Sequence, residues 1–439
     1  MSGAPSAQSV DIGKLIDTQP LGGLQIRVIL LCSLIVILDG YDIQTLSLTV
    51  PTLMKEWGLP RGDFGWALSF SLIGYGLGAA FLAGLGDRFG RKPVLIFAVL
   101  LMAVGSIGNA YVTNMQELIF WRFLTGVGFG TSIPNCTALT SEYMPAKSRA
   151  LLITLMYTGV AFGALVSGFV ADPIINAYGW RAIFVIGGAL PLAISILLFA
   201  GLPESLRFLV ARRPGDAHTK RIAAAIAPGV AAQNFVDHSA GTEKQSLASL
   251  LAPLYRPRTL LLWSVFALNL FVLYFLISWL PSLLTSAGWT PIDGRRGGVL
   301  IQAGGIVSGL LMAWGVDRGK TVLSMVTAYA CTAVGLGLFL VLASTGPGWW
   351  ILLFVIGWGS SGTQFALNAL AAAFYPPVIR STGVGWAVGI GRIGAILGPL
   401  AGSLPFIKAL PTNDILGLMV VPVILCAICT SFLPRVWRG

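Results

Sequence analysis

The chain has 439 residues, of which 56% are hydrophobic and only 10% charged. A soluble globular domain carries roughly 25% charged residues, so this composition describes a membrane protein and excludes an ordinary water-soluble domain. The formal charge of +11 does not point to nucleic acid, because the basic residues are strung along short loops, the pattern that meets an anionic leaflet.

The N-terminal segment is polar and lacks the basic-then-apolar run and small-residue cleavage site of a signal peptide. Apolar runs of about twenty residues then predict spans near 26–50, 64–86, 93–112, 116–140, 150–172 and 181–201. After a polar segment come six more, near 259–287, 297–316, 321–344, 348–374, 383–406 and 412–434. The expected fold is all-α with twelve transmembrane helices. It comprises a tail over 1–25, a six-helix bundle over 26–202, a central loop over 203–258 and a second bundle over 259–439.

Lys and Arg set the expected orientation. The loops after even-numbered spans, including the central loop, hold sixteen of them, whereas the opposite loops hold six: Lys55, Arg61, Arg181, Arg295, Arg296 and Lys408. Both termini and the central loop are therefore expected to be cytoplasmic. Arg122 and Arg392 fall inside spans.

Span 1 contains LDGYDIQTL, residues 38–46, with Asp39 and Asp42 in an otherwise apolar run. An Asp near a helix centre costs about 2.5–3.5 kcal/mol on insertion scales, so a pair there implies a use. Three residues apart, the two lie on one helix face. A carboxylate poised between desolvation, a like charge and a nearby cation can take up and release a proton as a cavity opens to either side. Arg122 is the candidate cation. Asp42 is preferred as the proton carrier because it lies deeper in the span. The other reading is a fixed ion pair that only ties spans together.

The loop after span 2 reads GLGDRFGRK (84–92), with Asp87, Arg88 and Arg91, and WGVDRGK (314–320) repeats it with Asp317 and Arg318 at an offset of 230. YMPAKSR (143–149) and FYPPVIR (374–380) align Arg149 with Arg380 at an offset of 231, and FGALVSG (162–168) aligns likewise with IGAILGP (393–399). Matches at a common offset after equivalent spans indicate a parallel duplication, and such transporters bind substrate between the bundles near the midplane. The loop residues Asp87, Arg88, Arg91, Glu142, Arg149, Asp317, Arg318 and Arg380 are expected to form a cytoplasmic gate, with Asp87, Glu142 and Arg149 at one seam.

Span 4 carries Arg122, Gly126, Gly128 and Gly130, whose glycines let another helix approach closely. Arg392, in span 11, has no acid in its own half at the duplicated position, where Asn269 stands. An unpaired guanidinium at a cavity grips a carboxylate with two parallel hydrogen bonds. Trp263, Phe266, Tyr274, Trp358, Phe365 and Trp386 offer aromatic walls, and Gln44, Asn135, Asn269, Gln364 and Asn368 are candidates to address ring hydroxyls.

The loop motif resembles the G-x-x-x-D-R-x-G-R-[RK] signature of the major facilitator superfamily, and span 4 its R-x-x-x-G-x-G-x-G pattern. Within it, DGYD in span 1, PNCTALTSEYMPAKSR (134–149), WLPSLL (279–284) and GVGWAVGIGRIGAILGP (383–399) are similar to segments of the aromatic acid:proton symporter family. That resemblance implies import of benzoate-type acids with protons across a bacterial inner membrane. The partners are then a small aromatic carboxylate, protons and lipid, and the functional unit a monomer.

No G-x-x-x-x-G-K-[ST] loop is present, so the proton gradient and no bound cofactor is the expected energy source. Cys426-x-x-Cys429 lacks a second ligand pair, and no metal is expected. No nucleophile–base pair marks an enzyme. A sugar or polyol carrier is the nearest alternative, since LPESLRFL (202–209) resembles a sugar-porter element, but span 7 lacks their glutamine-rich pattern. A receptor that senses aromatic acids without moving them lacks an appended signalling domain. The particular acid stays open among benzoate, hydroxybenzoates, protocatechuate, gentisate and phenylpropionates.

Overall fold

A computed structural model describes residues 9–212, 216–227, 234–236, 247–253, 255–317, 320–341, 348–375 and 379–437. The first six spanning helices are α1 (Gly23–Trp57), α2 (Arg61–Leu82), α3 (Arg91–Ala110), α4 (Met115–Tyr143), α5 (Ala146–Tyr178) and α6 (Trp180–Gly201). The second six are α7 (Arg256–Ser286), α8 (Pro291–Asp317), α9 (Thr321–Val341), α10 (Gly348–Ser360, resuming at Gly362–Phe374), α11 (Arg380–Ala401) and α12 (Thr412–Leu418, resuming at Val420–Trp437). Among the described residues ten helices are apolar enough to cross a membrane by composition. The other two, α4 and α8, have 29 and 27 residues, enough to span, but carry charges such as Arg122 and Arg295.

Local chemistry explains where these helices begin and stop. Asn114 caps α4 by accepting from the Glu117 amide at 2.9 Å. Gly58 ends α1 in the left-handed region at φ 64°, and Gly90 at φ 100° allows the sharp entry into α3.

Packing inside each half depends on helices that touch backbone to backbone. A Cβ at Gly126 or Gly130 of α4 would collide with the carbonyls of Ser71 or Tyr75 in α2. Gly40 and Gly163 place α1 against α5 in the same way. The second half repeats both seams: Gly394 joins α11 to α7, and Gly304 with Gly357 joins α8 to α10. The pairs α1–α5 and α2–α4 thus recur as α7–α11 and α8–α10, the duplication seen in the sequence.

The two halves meet mainly at the end opposite the termini. There the Ser47 hydroxyl donates to the Ile277 carbonyl at 2.6 Å, and the Ser403 hydroxyl to the Gly62 carbonyl at 2.6 Å. Lys408 pairs with Asp63 at 2.6 Å, and Arg295 of α8, 2% exposed, pairs with Asp172 of α5. Somewhat deeper, the Ser69 hydroxyl of α2 donates to the Ile396 carbonyl of α11 at 3.0 Å.

At the other end, the tail and central segment are more than a polar tail and loop. Strand β1 (Ser9–Asp11) pairs in parallel with β2 (Asn234–Val236), in the register Val10 opposite Phe235. Ile12 and Ile16 of the following short helix pack with Leu209, Val210, Ile222 and Phe235, closing the tail end of the first bundle.

Candidate functional site

Asp39 and Asp42 lie on the inner face of α1, 5% and 6% exposed. Their fates differ. Asp42 Oδ1 accepts from Arg122 Nη1 at 2.8 Å, and Arg122 Nη2 donates to the Ser71 hydroxyl at 3.2 Å, so α1, α2 and α4 are tied by one guanidinium. That guanidinium is buried, and its Nε finds no partner among the described residues. Asp39 accepts no hydrogen bond among the described residues. It shares instead an electrostatic cluster with Arg392, Tyr75, Tyr157 and Tyr274.

Arg392 enters this cluster from α11. Its Nη1 donates to the Tyr274 hydroxyl of α7 at 3.3 Å, and its guanidinium carbon lies 3.9 Å from the centre of the Tyr75 ring of α2. Such a cation–ring contact is electrostatically attractive, and the other guanidinium N–H groups meet no acceptor among the described residues. No acid of the second half is paired with Arg392 among the described residues, and Asp39 of the first bundle acts on it electrostatically.

Further along α7, Asn269 is 1% exposed and held on every side. Its Oδ1 lies 3.1 Å from the Tyr329 hydroxyl and 2.9 Å from that of Thr363, while its Nδ2 donates to Gln364 Oε1 at 2.9 Å. Gln364 Nε2 in turn donates to Asn368 Oδ1 at 3.3 Å.

Other candidates lie elsewhere. Asn135 donates to the carbonyls of Ala83 at 3.0 Å and Thr131 at 2.8 Å, which makes it a clasp between α4 and the end of α2. Gln44, 1% exposed, packs against Gly298 of α8 in the seam between bundles. Trp386 is 40% exposed and lies tilted by 30° against Trp263 with centroids 6.0 Å apart, while Phe266 is wholly buried in the core of the second bundle. Trp358 is half-buried, and the side chain of Phe365 lies outside the described residues.

The loop motif forms a different network from the one expected. Arg91 bridges Asp87 at 3.0 Å and Glu142 at 2.8 Å, and Ser205 donates to the other oxygen of Glu142. Arg149 does not join them. It turns to Asp17 of the tail at 3.3 Å, and the same Asp17 oxygen caps α5 through the Ala146 amide at 2.8 Å. Arg88 lies over the Phe89 ring. Arg318 lies outside the described residues, as do the side chains of Asp317 and Arg380, so the second half of the proposed gate is not described.

Sequence reasoning missed several participants. Glu204 Oε1 accepts from the Arg91 amide at 2.7 Å and the Lys92 amide at 3.2 Å, placing a carboxylate on the positive N-terminus of α3. The P-E-S stretch after span 6 was its signal. Tyr75 beneath Arg392, and the Asp172–Arg295 pair between bundles, had none: an aromatic in an apolar run and a basic residue in an outer loop look ordinary.

The profile described as Major Facilitator Superfamily matches residues 32–434. The chain is 38% identical to the 4-hydroxybenzoate transporter PcaK of Pseudomonas putida over 96% of its own length and 95% of that protein. It is 37% identical to the gallate transporter of Pseudomonas putida, covering 91% and 89% of the two chains. Against the benzoate transport protein of Acinetobacter baylyi it is 31% identical, covering 90% and 86%. Among solved structures, the xylose transporter XylE from E. coli in a partially occluded inward open conformation superposes with a TM-score of 0.72 at 18% identity, covering 94% of this chain and 98% of that one. A matching profile over most of the chain, relatives above 30% identity along nearly their full length and the shared twelve-helix fold lead to one conclusion: this protein is a multi-pass membrane transporter that belongs to the Major Facilitator Superfamily.

Proposed function

We propose that this carrier imports an aromatic carboxylate of the benzoate and hydroxybenzoate class together with protons, by alternating access across a bacterial inner membrane. The observation that carries this reading is Arg392, a guanidinium at the meeting of the bundles that holds one phenol, covers one ring and interacts electrostatically with Asp39. Its remaining N–H groups, which meet no acceptor among the described residues, suit a carboxylate, and the Tyr75 and Tyr274 rings beside it suit an aromatic body. The names of the relatives agree with that chemistry.

In this mechanism the substrate carboxylate and Asp39 compete for one cation. A substrate bound to Arg392 leaves Asp39 without its partner, and protonation of Asp39 then relieves a buried, uncompensated charge. Asp39 rather than Asp42 is the exchanging acid here, because Asp42 is already committed to Arg122 at 2.8 Å. With both termini on the cytoplasmic side, the seam formed by Ser47, Asp63, Asp172 and their partners closes the outer face. The conformation is then inward-facing.

Uptake of labelled benzoate or 4-hydroxybenzoate into proteoliposomes under an imposed pH gradient tests the proposal. Accumulation should collapse when a protonophore removes the gradient, whereas counterflow of labelled substrate should persist. Uptake indifferent to protonophore and to external pH overturns the symport.

A further inference from the structure

We infer that the groove at the closed end of the molecule, between the α1–α2 connection and the ends of α7 and α11, is a second site for an aromatic carboxylate, and that an acid bound there holds this end shut. The effect on opening rests on the alternating access proposed above. Two hollows meet in this groove. The first, about 510 Å³, is lined by Pro51, Met54 and Lys55 of α1, by Leu59, and by Ser282 and Thr285 of α7. The second, about 370 Å³, is lined by Arg61, Gly62, Lys408, Leu410 and Pro411. Pro60 and Ser286 line both, so the hollows adjoin. Each has the size usual for a small-molecule site, about 300–1,000 Å³.

The charges in the groove favour an anion. Lys408 is already taken by Asp63 at 2.6 Å, with its stem laid across Gly62, where a Cβ would collide with it. Arg61, half-buried, and Lys55, exposed, have no ion pair or side-chain hydrogen bond among the described residues. Glu56, next to Lys55, turns to Trp180 at 2.6 Å and Arg181 at 2.9 Å, and Asp414, near the second hollow, pairs with neither cation. The hydroxyls of the wall do not replace these donors. Ser282, Thr285 and Ser286 give their protons to the carbonyls of Trp279, Pro281 and Ser282 in their own helix. A carboxylate is therefore held by Arg61 and Lys55. The rest of the wall is carbon, from Pro51, Met54, Leu59 and Pro60. An inorganic anion leaves that surface wet, whereas an aromatic ring covers it.

The two walls belong to different bundles. Lys55 and Arg61 stand on the first, and α7 with the α11–α12 connection on the second. Opening this end draws the walls apart. An acid that touches both walls binds the closed form better, so it shifts the population toward that form. Acid at high concentration on this side thereby slows its own entry.

Equilibrium dialysis of labelled benzoate against the purified full chain counts the sites. The wild type should show two saturable sites. Arg392→Ala should keep the groove site, whereas Lys55→Gln/Arg61→Gln should keep the central site and weaken the groove about tenfold, as for hydrogen bonds lost to a charged group. Should Arg61→Gln prevent folding, Lys55→Gln alone, on an exposed side chain, must still weaken the groove site. Benzamide, a ring without charge, and inorganic phosphate, a charge without a ring, should both displace the groove-bound acid less well than benzoate does. Ser47→Cys in cysteine-free Arg392→Ala protein reports the opening. Benzoate should slow its thiol labelling about fivefold or more, and should not do so after Lys55→Gln/Arg61→Gln. A single wild-type site that Arg392→Ala removes, a second site indifferent to Lys55→Gln/Arg61→Gln, displacement by phosphate as effective as by benzoate, or labelling that benzoate does not slow overturns the inference. Failure of the central reading looks different: Arg392→Ala would then bind benzoate as the wild type does.

Discussion

At the scale of single residues, the two aspartates of α1 should fail in different ways. Asp42→Asn removes the charge that compensates Arg122, which is buried at 2% exposure. The amide oxygen still accepts a hydrogen bond, so the loss falls near the low end for a broken buried pair, about 3 kcal/mol. A lower unfolding temperature of the purified protein is the expected result. Asp39→Asn breaks no hydrogen bond and should leave that temperature nearly unchanged, while uphill accumulation disappears and exchange of substrate persists. Equal stability of the two variants, or normal accumulation by Asp39→Asn, contradicts this division. Arg392→Ala should weaken carboxylate binding by about 2–5 kcal/mol, as expected for one side of a desolvated charge pair. Arg392→Lys should restore little, because a point charge lacks the planar fork and the stacking on Tyr75. Calorimetric affinity of the lysine variant equal to wild type removes the two-pronged clamp.

At the scale of elements, the helix seams divide the glycines into those that admit no side chain and those that do. A Cβ at Gly126 would overlap the Ser71 carbonyl, backbone that cannot move without shifting α2 against α4. Gly76, on the same helix as Ser71, meets nothing within 4 Å. Gly126→Val should prevent recovery of folded protein, whereas Gly76→Ala should be neutral or stabilise by up to about 1 kcal/mol through helix propensity. Folded yield and thermal unfolding compare the two directly, and a well-folded Gly126→Val with the wild-type unfolding temperature refutes the contact. These seams were legible beforehand because glycines spaced along span 4 leave a pattern, as do apolar runs and the offset between halves. Less was legible where partners lie far apart in sequence. Asp17 and Arg149 are 132 residues apart, and neither position carries a periodicity that names the other. The same holds for β1 and β2, whose strands are too short to stand out from polar surroundings. In the site itself, the residue types were readable but their partners were not, since Asn269, Tyr329 and Gln364 come together from three separate helices.

At the scale of the whole molecule, most of the described polar contacts between the bundles are gathered at one end, and the proposed alternating access requires that they break. They are unequal in strength. Lys408–Asp63 is about one-third exposed on both sides and contributes little, in the range of about 0–1 kcal/mol for surface pairs. Arg295 is 2% exposed, so withdrawing Asp172 strands a buried cation in this conformation and is strongly unfavourable. Opening the seam would rehydrate that cation, and Asp172→Ala should therefore shift the population toward the conformation open at this end. Each 1.4 kcal/mol of differential destabilisation changes the ratio of states about tenfold. Ser47, fully buried in the seam against Ile277, provides the reporter as Ser47→Cys in a background free of the native cysteines. Labelling by a membrane-impermeant thiol reagent from the outer side should rise about tenfold or more when Asp172→Ala is added, and less than about threefold with Asp63→Ala. If Asp172→Ala labels no faster than its parent, or if Asp63→Ala matches it, the buried pair is not what holds this end closed.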